Sequence, residues 1–340
     1  MNARQARALR VTGPIRRTYL CLEGQRRKPS DYEITTTALL YYPSRGFEVE
    51  TPVWQHYLDY QRNGQLRSPC WENFEDPSHT TYSTYVSRRR DQEIFLDRLF
   101  DEPAGPLPRP LQPLLGWLSA LRFPLHGLQM VAAYVGALAP SGRISVAAAF
   151  QSADELRRIQ RLCQWLSRSR LSMPELDALG RKLWQQHAGF QPLRRLIEEL
   201  LVTYDWSEAL IGCNAVIKPV FDRLLFGQLP KLAKQHEDEI LEQTLKSLGE
   251  DGDWHAAWSM QLLRGLREDE PGNAAAISRS IARFRPQLLA ATEALLGAGS
   301  DFLAGQQQSM LGELTSALDQ HLAPLTPTEA KGEPINGAST

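Results

Sequence analysis

No run of about 18 consecutive apolar residues occurs in this sequence, so it offers no obvious membrane-spanning helix. Its start, Met-Asn-Ala-Arg-Gln-Ala-Arg, lacks the apolar core that a secretory leader needs. Cysteine is scarce: Cys21, Cys70, Cys163 and Cys213 are widely spaced and make no Cys-x-x-Cys pair. Two of them fall in apolar helical stretches, as small hydrophobes do, and the expected state is free thiols in a reducing cytoplasm. The phosphate loop Gly-x-x-x-x-Gly-Lys-Ser/Thr, the dinucleotide fingerprint Gly-x-Gly-x-x-Gly and the nucleophile elbow Gly-x-Ser-x-Gly are all missing. Strand-like alternation does not persist beyond a few residues after position 77, and there is no internal repeat. Net charge is nearly absent, −1 over 340 residues, but it is unevenly placed. Residues 1–30 carry eight Arg or Lys against the single acid Glu23, a net +7 that leaves about −8 for the remainder. Such an arm suits nucleic acid, a membrane or an acidic protein face. No aromatic-basic recognition motif accompanies it, so a mobile arm or subunit contact is expected, with no nucleic-acid or membrane partner. Arg88-Arg89-Arg90 is followed by Asp91 and Glu93 and is locally neutralised.

What is present is a globular composition, 42% apolar and 23% charged, in a chain long enough to bury a large core. Residues 1–77 read as an extended, basic, aromatic-rich arm, and eight of the ten tyrosines fall within the first 85 residues. Tyrosine joins apolar area to a polar tip, which suits burial against a partner or against the chain's own core. A short helix is expected over Thr51–Tyr60, with Thr51 as cap and Pro52 in its first turn. Residues 78–322 read as one all-α helical bundle. Its helices are expected from Asp76-Pro77-Ser78 to about Leu99, over Leu114–Ala139 with a disturbance at Pro124, over Arg143–Arg168, and over Leu171–His187. Further helices are expected over Pro192–Phe226, interrupted at Tyr204-Asp205-Trp206 and at Pro219, then over Pro230–Leu248, Asp251–Leu266, Asn273–Leu296 and Phe302–Leu322. Residues 323–340 read as a disordered tail.

The stretch Arg143–Arg168 holds the chemical question. Glu155 and Arg158 stand one turn apart, at the spacing where helical di-iron proteins carry Glu-x-x-His into a bundle core. Each of the seven histidines can be checked three positions upstream. His56, His126, His187, His236, His255 and His321 follow Val53, Phe123, Trp184, Ala233, Gly252 and Leu318, and only His79 follows an acid, Asp76, across Pro77. No Glu-x-x-His exists in the chain. Glu155 and Arg158 therefore read as a structural ion pair. Asp205 and Glu208 repeat the spacing with Ile211 in the would-be histidine place, and read as helix-capping or Arg-bonding acids. His126 reads as a hydrogen-bonded core histidine, and His236-Glu237-Asp238-Glu239 as a solvated charge run. No catalytic, cofactor-binding or metal-binding residue is assigned to this chain.

Six stretches in order over roughly residues 26–290 carry a resemblance: Arg27–Ile34; Cys70–Pro77 with Thr81, Tyr82 and Tyr85; His126–Met130 with Ala133, Tyr134 and Val135; Gln151–Asp154 with Leu156 and Arg157; Tyr204–Ala209 with Asn214; and Val216–Pro219. Together they resemble the β subunit of the oxygenase component of soluble bacterial multicomponent di-iron monooxygenases, in the toluene, benzene and phenol branch. The resemblance implies a ferritin-like (ribonucleotide-reductase-like) fold similar to the iron-bearing α subunit but without its ligands. There the second Asp-Glu-x-Arg-His motif is expected to correspond to Asp154-Glu155-Leu156-Arg157-Arg158. It implies α and γ partners in an (αβγ)2 assembly with β–β or β–α central contacts. A small effector protein and electron-transfer components bearing NADH, FAD and [2Fe-2S] chemistry would act on the complex, and the di-iron centre would reside in α. Two rival readings remain beside it: a stand-alone helical carboxylate-metal enzyme using Glu155, Asp205 and Glu208, and a helical interaction protein unrelated to oxygenases.

Overall fold

The computed structural model describes residues 28–38, 63–101, 109–168, 173–303 and 305–326. Most of the arm, including the helix expected at Thr51–Tyr60, lies outside the described residues. Among the described residues every regular element is helical. The main ones are α1 (Asp31–Ala38), α2 (Tyr82–Asp101), α3 (Gln112–Leu138), α4 (Gly142–Ser167), α5 (Leu176–Gln186) and α6 (Gln191–Leu201). A helical rod over 206–235, here α7, precedes α8 (Glu239–Asp269), α9 (Pro271–Ala298), α10 (Ser300–Leu303) and α11 (Gln307–Leu322).

Helices α3 and α4 form an antiparallel hairpin closed at Pro140-Ser141, where the Ser141 hydroxyl accepts from Arg143 N at 3.2 Å and so satisfies one exposed amide of the first turn. Helix α3 runs straight through Pro124, which stays buried, so the expected disturbance there does not break it. Helices α5 and α6 pack on α3, and α8 lies against α4, α7 and α9. The core is aliphatic and aromatic, with Trp165, Trp206, Trp258, Phe190, Phe221 and Phe284 among the largest fully buried side chains. Burial of each such ring removes enough apolar surface from water to contribute about 2–3 kcal/mol.

The expected break between Leu248 and Asp251 is absent: α8 runs unbroken for 31 residues through Gly249 and Gly252. The chain turns instead at His236–Asp238. Glu237 takes a positive φ of 57°, and buried Asp238 caps α8 by accepting from Leu241 N at 2.9 Å. Asp238 also accepts from Trp165 Nε1 at 3.2 Å, so this segment is a helix junction rather than a solvated charge run.

Rod α7 alternates α-helical pieces, Trp206–Leu210, Lys218–Asp222 and Leu229–Gln235, with π-helical ones, Ile211–Ile217 and Arg223–Gln228. Each π stretch is followed at the second residue by a proline, Pro219 or Pro230. A proline ring clashes with the carbonyl four residues back in an α-helix, and a widened preceding turn relieves that clash.

The described part of the arm is fastened to the bundle. Asn273 Oδ1 accepts from Arg67 N at 2.9 Å and its Nδ2 donates to Arg67 O at 2.6 Å. Asp205 accepts from Gln65 N at 2.9 Å, and Trp71 meets Trp206 edge-on, with centroids 5.8 Å apart. Tyr32 stacks on His79 and is buried, so its aromatic area serves the chain's own core. At the other end, Leu325 is buried and Pro324 O accepts from Arg267 at 2.9 Å, which keeps the chain attached through the first residues of the segment read as a tail.

Candidate functional site: a buried ionic cluster

Helices α2, α4, α7 and α8 converge on a cluster of charged side chains with almost no access to solvent. Asp154, Glu155, Asp251 and His255 have no exposure, and Arg158 and Lys218 have 1% and 2%. A charge in such a place must be paired, since an isolated one would ionise differently or unfold the site.

The inner set is two cations and two carboxylates. Arg158 Nη1 donates to both Glu155 oxygens at 3.2 Å and to Asp222 Oδ1 at 2.9 Å. Lys218 Nζ bonds Glu155 Oε1 and lies 3.1 Å from Asp222 Oδ2. Each carboxylate thus spans both cations. The Arg158 guanidinium also donates to Leu248 O at 3.2 Å and sits over the Phe226 ring, 4.5 Å from its centroid. The pair expected from the spacing of Glu155 and Arg158 is formed, but within a four-membered array.

The outer set is equally balanced. Asp154 receives Arg89 Nε and Nη2, each at 2.6 Å, in the bidentate form that suits guanidinium and carboxylate, with Tyr85 Oη at 2.8 Å. Asp251 receives Arg157 Nη1 at 2.7 Å and lies 2.6 Å from Arg89 Nη1. Glu93 pairs with Arg157 and Arg161. Arg89 is therefore neutralised by residues from two other helices, not by its neighbours Asp91 and Glu93.

Burial opposes ionisation of Glu155 and Asp222, yet the charges of Arg158 and Lys218 outweigh it and hold both carboxyls below the ordinary range. Burial likewise opposes the charge on Arg158, which Asp222 and Glu155 restore. Asp251 goes the other way: burial, then the neighbouring Asp154 charge, push it up to about 6. Burial, then Lys218, push His255 down to about 4. His255 is thus neutral near pH 7.

Position 252 faces the same centre. A Cβ on Gly252 would lie 2.6 Å from Asp222 Oδ2 and 3.0 Å from Arg158 Nη2, so the absence of a side chain there makes room for the array. Gly252 and His255 repeat on α8 the spacing of Glu155 and Arg158 on α4. One helix carries the acid of such a spacing without a histidine, and the other the histidine without an acid. His255 escapes a sequence search because its own upstream residue is glycine. The usable signal was the pairing of Asp251 with His255 on a helix whose partner carries Asp154-Glu155.

Asp205 and Glu208 are not brought to this place. Asp205 caps α7, accepting from Ser207 N and Glu208 N at 2.9 Å, and Glu208 bonds Arg283 at 2.8 Å. They stand at the rod's start, roughly 15–20 Å along the axis from Lys218. The set Glu155, Asp205 and Glu208 needed by a stand-alone metal enzyme is not assembled. His126 is exposed on α3, correcting its reading as a core histidine. Among the described residues, no group of three or more His, Cys, Asp or Glu is placed to hold a metal ion, and no helix is long and apolar enough to cross a membrane.

Residues 45–270 match the sequence profile described as Methane/Phenol/Alkene Hydroxylase. The chain belongs to that family. It is 32% identical over 305 residues, 85% of this chain and 93% of the relative, to the hydroxylase component subunit beta of the toluene-4-monooxygenase system of Ectopseudomonas mendocina. It is 25% identical over 232 residues, 63% of this chain and 66% of the relative, to the phenol 2-monooxygenase oxygenase component DmpL of Pseudomonas sp. (strain CF600). Among solved structures, a chain of toluene 4-monooxygenase with toluene in its resting active site superposes with a TM-score of 0.71 at 30% identity, covering 84% of this chain and 97% of that one. A chain of xenon-pressurised phenol hydroxylase from Pseudomonas sp. OX1 gives a TM-score of 0.76 at 18% identity, covering 93% and 96%, a likeness of fold. The protein is a β, or small, subunit of a multicomponent di-iron hydroxylase of the toluene/phenol monooxygenase family, with the ferritin-like bundle of that class. As such it is one subunit of a monooxygenase complex.

The side chains at the ionic cluster do not fit a di-iron centre. A dimetal carboxylate site in this kind of bundle draws a Glu from each of two helices and a Glu-x-x-His from each of two others. Here the centre has one histidine and two carboxylates, each carboxylate paired with two cations.

Proposed function

We propose that this chain is the non-catalytic structural β subunit of an aromatic hydroxylase complex that uses O2 and NADH. In this reading it assembles with iron-bearing α and smaller γ subunits as (αβγ)2, and an effector protein and electron-transfer components act on that complex. Reaction chemistry and substrate choice would then belong to the α subunit, and no residue of this chain touches substrate. The observation that carries the reading is the ionic cluster. At the point where four bundle helices converge, Arg158 and Lys218 occupy the interior and bond Glu155 and Asp222.

The chain's own residues have a mechanical task in this reading. Four helices are cross-linked through buried, bidentate ion pairs, which fix their rotation and register more tightly than apolar contacts alone. A rigid bundle of that kind can hold a partner subunit's helices in a set geometry. The test is co-expression with α and γ chains from the same hydroxylase, followed by purification through a tag on this chain. Stoichiometric recovery of all three, with iron only at the level of the α chains, is the expected result. A chain that purifies alone, or that carries about two irons itself, overturns the proposal.

A further inference from the structure

We infer that the outer face of the α3–α4 hairpin is the seat of the α subunit, covered by helices of that subunit whose own contact surface is uncharged. The inference rests on the scaffold reading above and names the face through which this chain holds its partner. Helix α4 has six charged residues, Arg143, Asp154, Glu155, Arg157, Arg158 and Arg161, and all of them are buried. Its exposed stripe is Ala149, Ala153, Leu156 and Gln160, spaced four, three and four apart. Helix α3 repeats that spacing with His126, Met130, Ala133 and Ala137. None of the exposed residues of either helix is Asp, Glu, Lys or Arg. A helix that ends its packing at solvent puts charged side chains outward. Helix α8 does so with Glu239, Lys246, Glu250, Asp253, Arg264 and Glu268. Spacing of four, three and four is that of a seam between helices.

The two stripes are held in register and differ in relief along their length. Gln129 Nε2 donates to Ser152 Oγ at 2.9 Å, so Met130 and Leu156 stand toward the open end of the hairpin. Ala133, Ala137 and Ala149 stand toward its closed end. Met130 and Leu156 are 46% and 45% exposed, large enough to act as pegs. Leu201 borders them, since a Cβ on Gly127 would lie 3.9 Å from its Cδ1, and exposed Val202 extends the apolar surface. The alanines let a further helix approach to about 8 Å between axes, the close end of the usual range. Helices α3 and α4, of 27 and 26 residues, are each about 40 Å long, and side by side they are about 20 Å wide. The resulting area, about 800 Å², is what one side of a stable subunit interface buries.

Two features assign the face to α. The turns of α4 that present Ala153 and Leu156 outward carry Asp154, Glu155, Arg157 and Arg158 inward, so the face lies directly over the cross-linked centre. The uncharged surface is therefore also a rigidly held one, as a permanent seat for a stoichiometric partner requires. A chain that gave this face to its own copy would have charged faces, such as that of α8, left for α. A γ chain smaller than this bundle would leave much of the face in water.

The experiment is co-expression of tagged, full-length variants with α and γ chains of the same hydroxylase. Ala153→Arg puts a guanidinium in the middle of the face at an exposed position, and Ala257→Arg puts one on the exposed side of α8. The native chain and Ala257→Arg should recover α stoichiometrically. Ala153→Arg should recover about tenfold less, because a charge covered without a partner is costly. Failure of the native chain to recover α sinks the scaffold reading together with this inference. Native-level recovery by Ala153→Arg overturns this inference alone. An Ala153→Arg complex that keeps α but has half the native mass gives the face to a second copy, and overturns it too.

Because a poorly folded Ala153→Arg would also recover little α, a second measurement uses milder changes. Leu156→Cys and Ala257→Cys are each assembled into the complex and treated with a maleimide, and the labelled peptides are read by mass analysis. The introduced thiol of Leu156→Cys should react about tenfold more slowly than that of Ala257→Cys, because the core of an interface excludes water. Equal rates in an assembled complex overturn the inference whatever Ala153→Arg does.

Discussion

His255 Nε2 lies 3.0 Å from Asp154 Oδ2, so a neutral imidazole donates to an ionised carboxylate in the middle of the protein. That hydrogen bond fixes the tautomer and joins α8 to α4 at a point with no solvent.

The pair has a signature in the pH dependence of stability. The folded-state value for His255 is near 4 against an ordinary 6.5, so its contribution is complete above pH 6.5 and is lost as pH falls through that window. Asp251, raised from 3.8 to about 6, acts in the opposite sense: its contribution is complete below 3.8 and is lost as pH rises through 6. Between pH 4 and 6 the two slopes oppose each other. His255→Gln keeps a donor toward Asp154 but removes one slope, so the variant's stability should fall with rising pH where the native chain's is nearly level. The gap should grow by about 2–3 kcal/mol across the window. Urea unfolding at pH 4.5, 5.5 and 6.5 measures it, and parallel profiles would show that His255 does not titrate with folding.

Asn273 makes three hydrogen bonds that tie the arm to α8 and α9, to Arg67 N, Arg67 O and Leu266 O. Asn273→Ala should cost about 1–3 kcal/mol, because the buried Leu266 carbonyl loses its side-chain donor and the arm its anchor. The more specific expectation is faster proteolytic cleavage within residues 63–77 while the bundle stays intact. Limited digestion with mass analysis reads this, and an unchanged cleavage pattern would place the anchoring elsewhere.

Gln151 and Asn214 exchange amide hydrogen bonds at 2.9 and 2.8 Å between α4 and the first π stretch, both residues being buried. Replacing either by Leu leaves an unpaired amide and should cost about 1–3 kcal/mol. Replacing both should cost less than the sum of the two, since no polar group is then stranded. Thermal unfolding of the three variants checks this, with strict additivity as the contrary result.

Gly180 is a point of backbone approach between α5 and α3. A Cβ there would fall 2.2 Å from Ser119 Oγ and 2.8 Å from the Ser119 carbonyl carbon, an atom that cannot swing aside. Gly180→Ala should therefore destabilise by about 1–3 kcal/mol despite improving helix propensity. A stabilised variant in a denaturant titration would contradict this packing.

The long helices were legible because their apolar residues recur every three or four positions, and α3, α4 and α9 begin and end within a few residues of where that pattern places them. The break expected near Gly249 to Gly252 was a misreading of purpose. Glycine usually interrupts a helix, but Gly252 serves a side-chain array that crosses from two other helices, and nothing on its own helix announces that. Glu155 was legible as one half of a pair, while its partners Lys218 and Asp222 lie over 60 residues away and are united only by the fold. His255 was missed for the same reason: its partner Asp154 lies on another helix and is brought to it only by the fold. The π stretches of α7 left no mark in the apolar pattern, although the prolines that accompany them were visible.

Those π stretches bear on how this interior can change over time. Lys218–Asp222, the segment that delivers both of the rod's charged residues, is held between two over-wide turns. Each helical residue advances the chain by about 100° around its axis. Winding 211–217 as α-helix with no residue lost would add rotation at each of its residues and swing Lys218 away from Glu155.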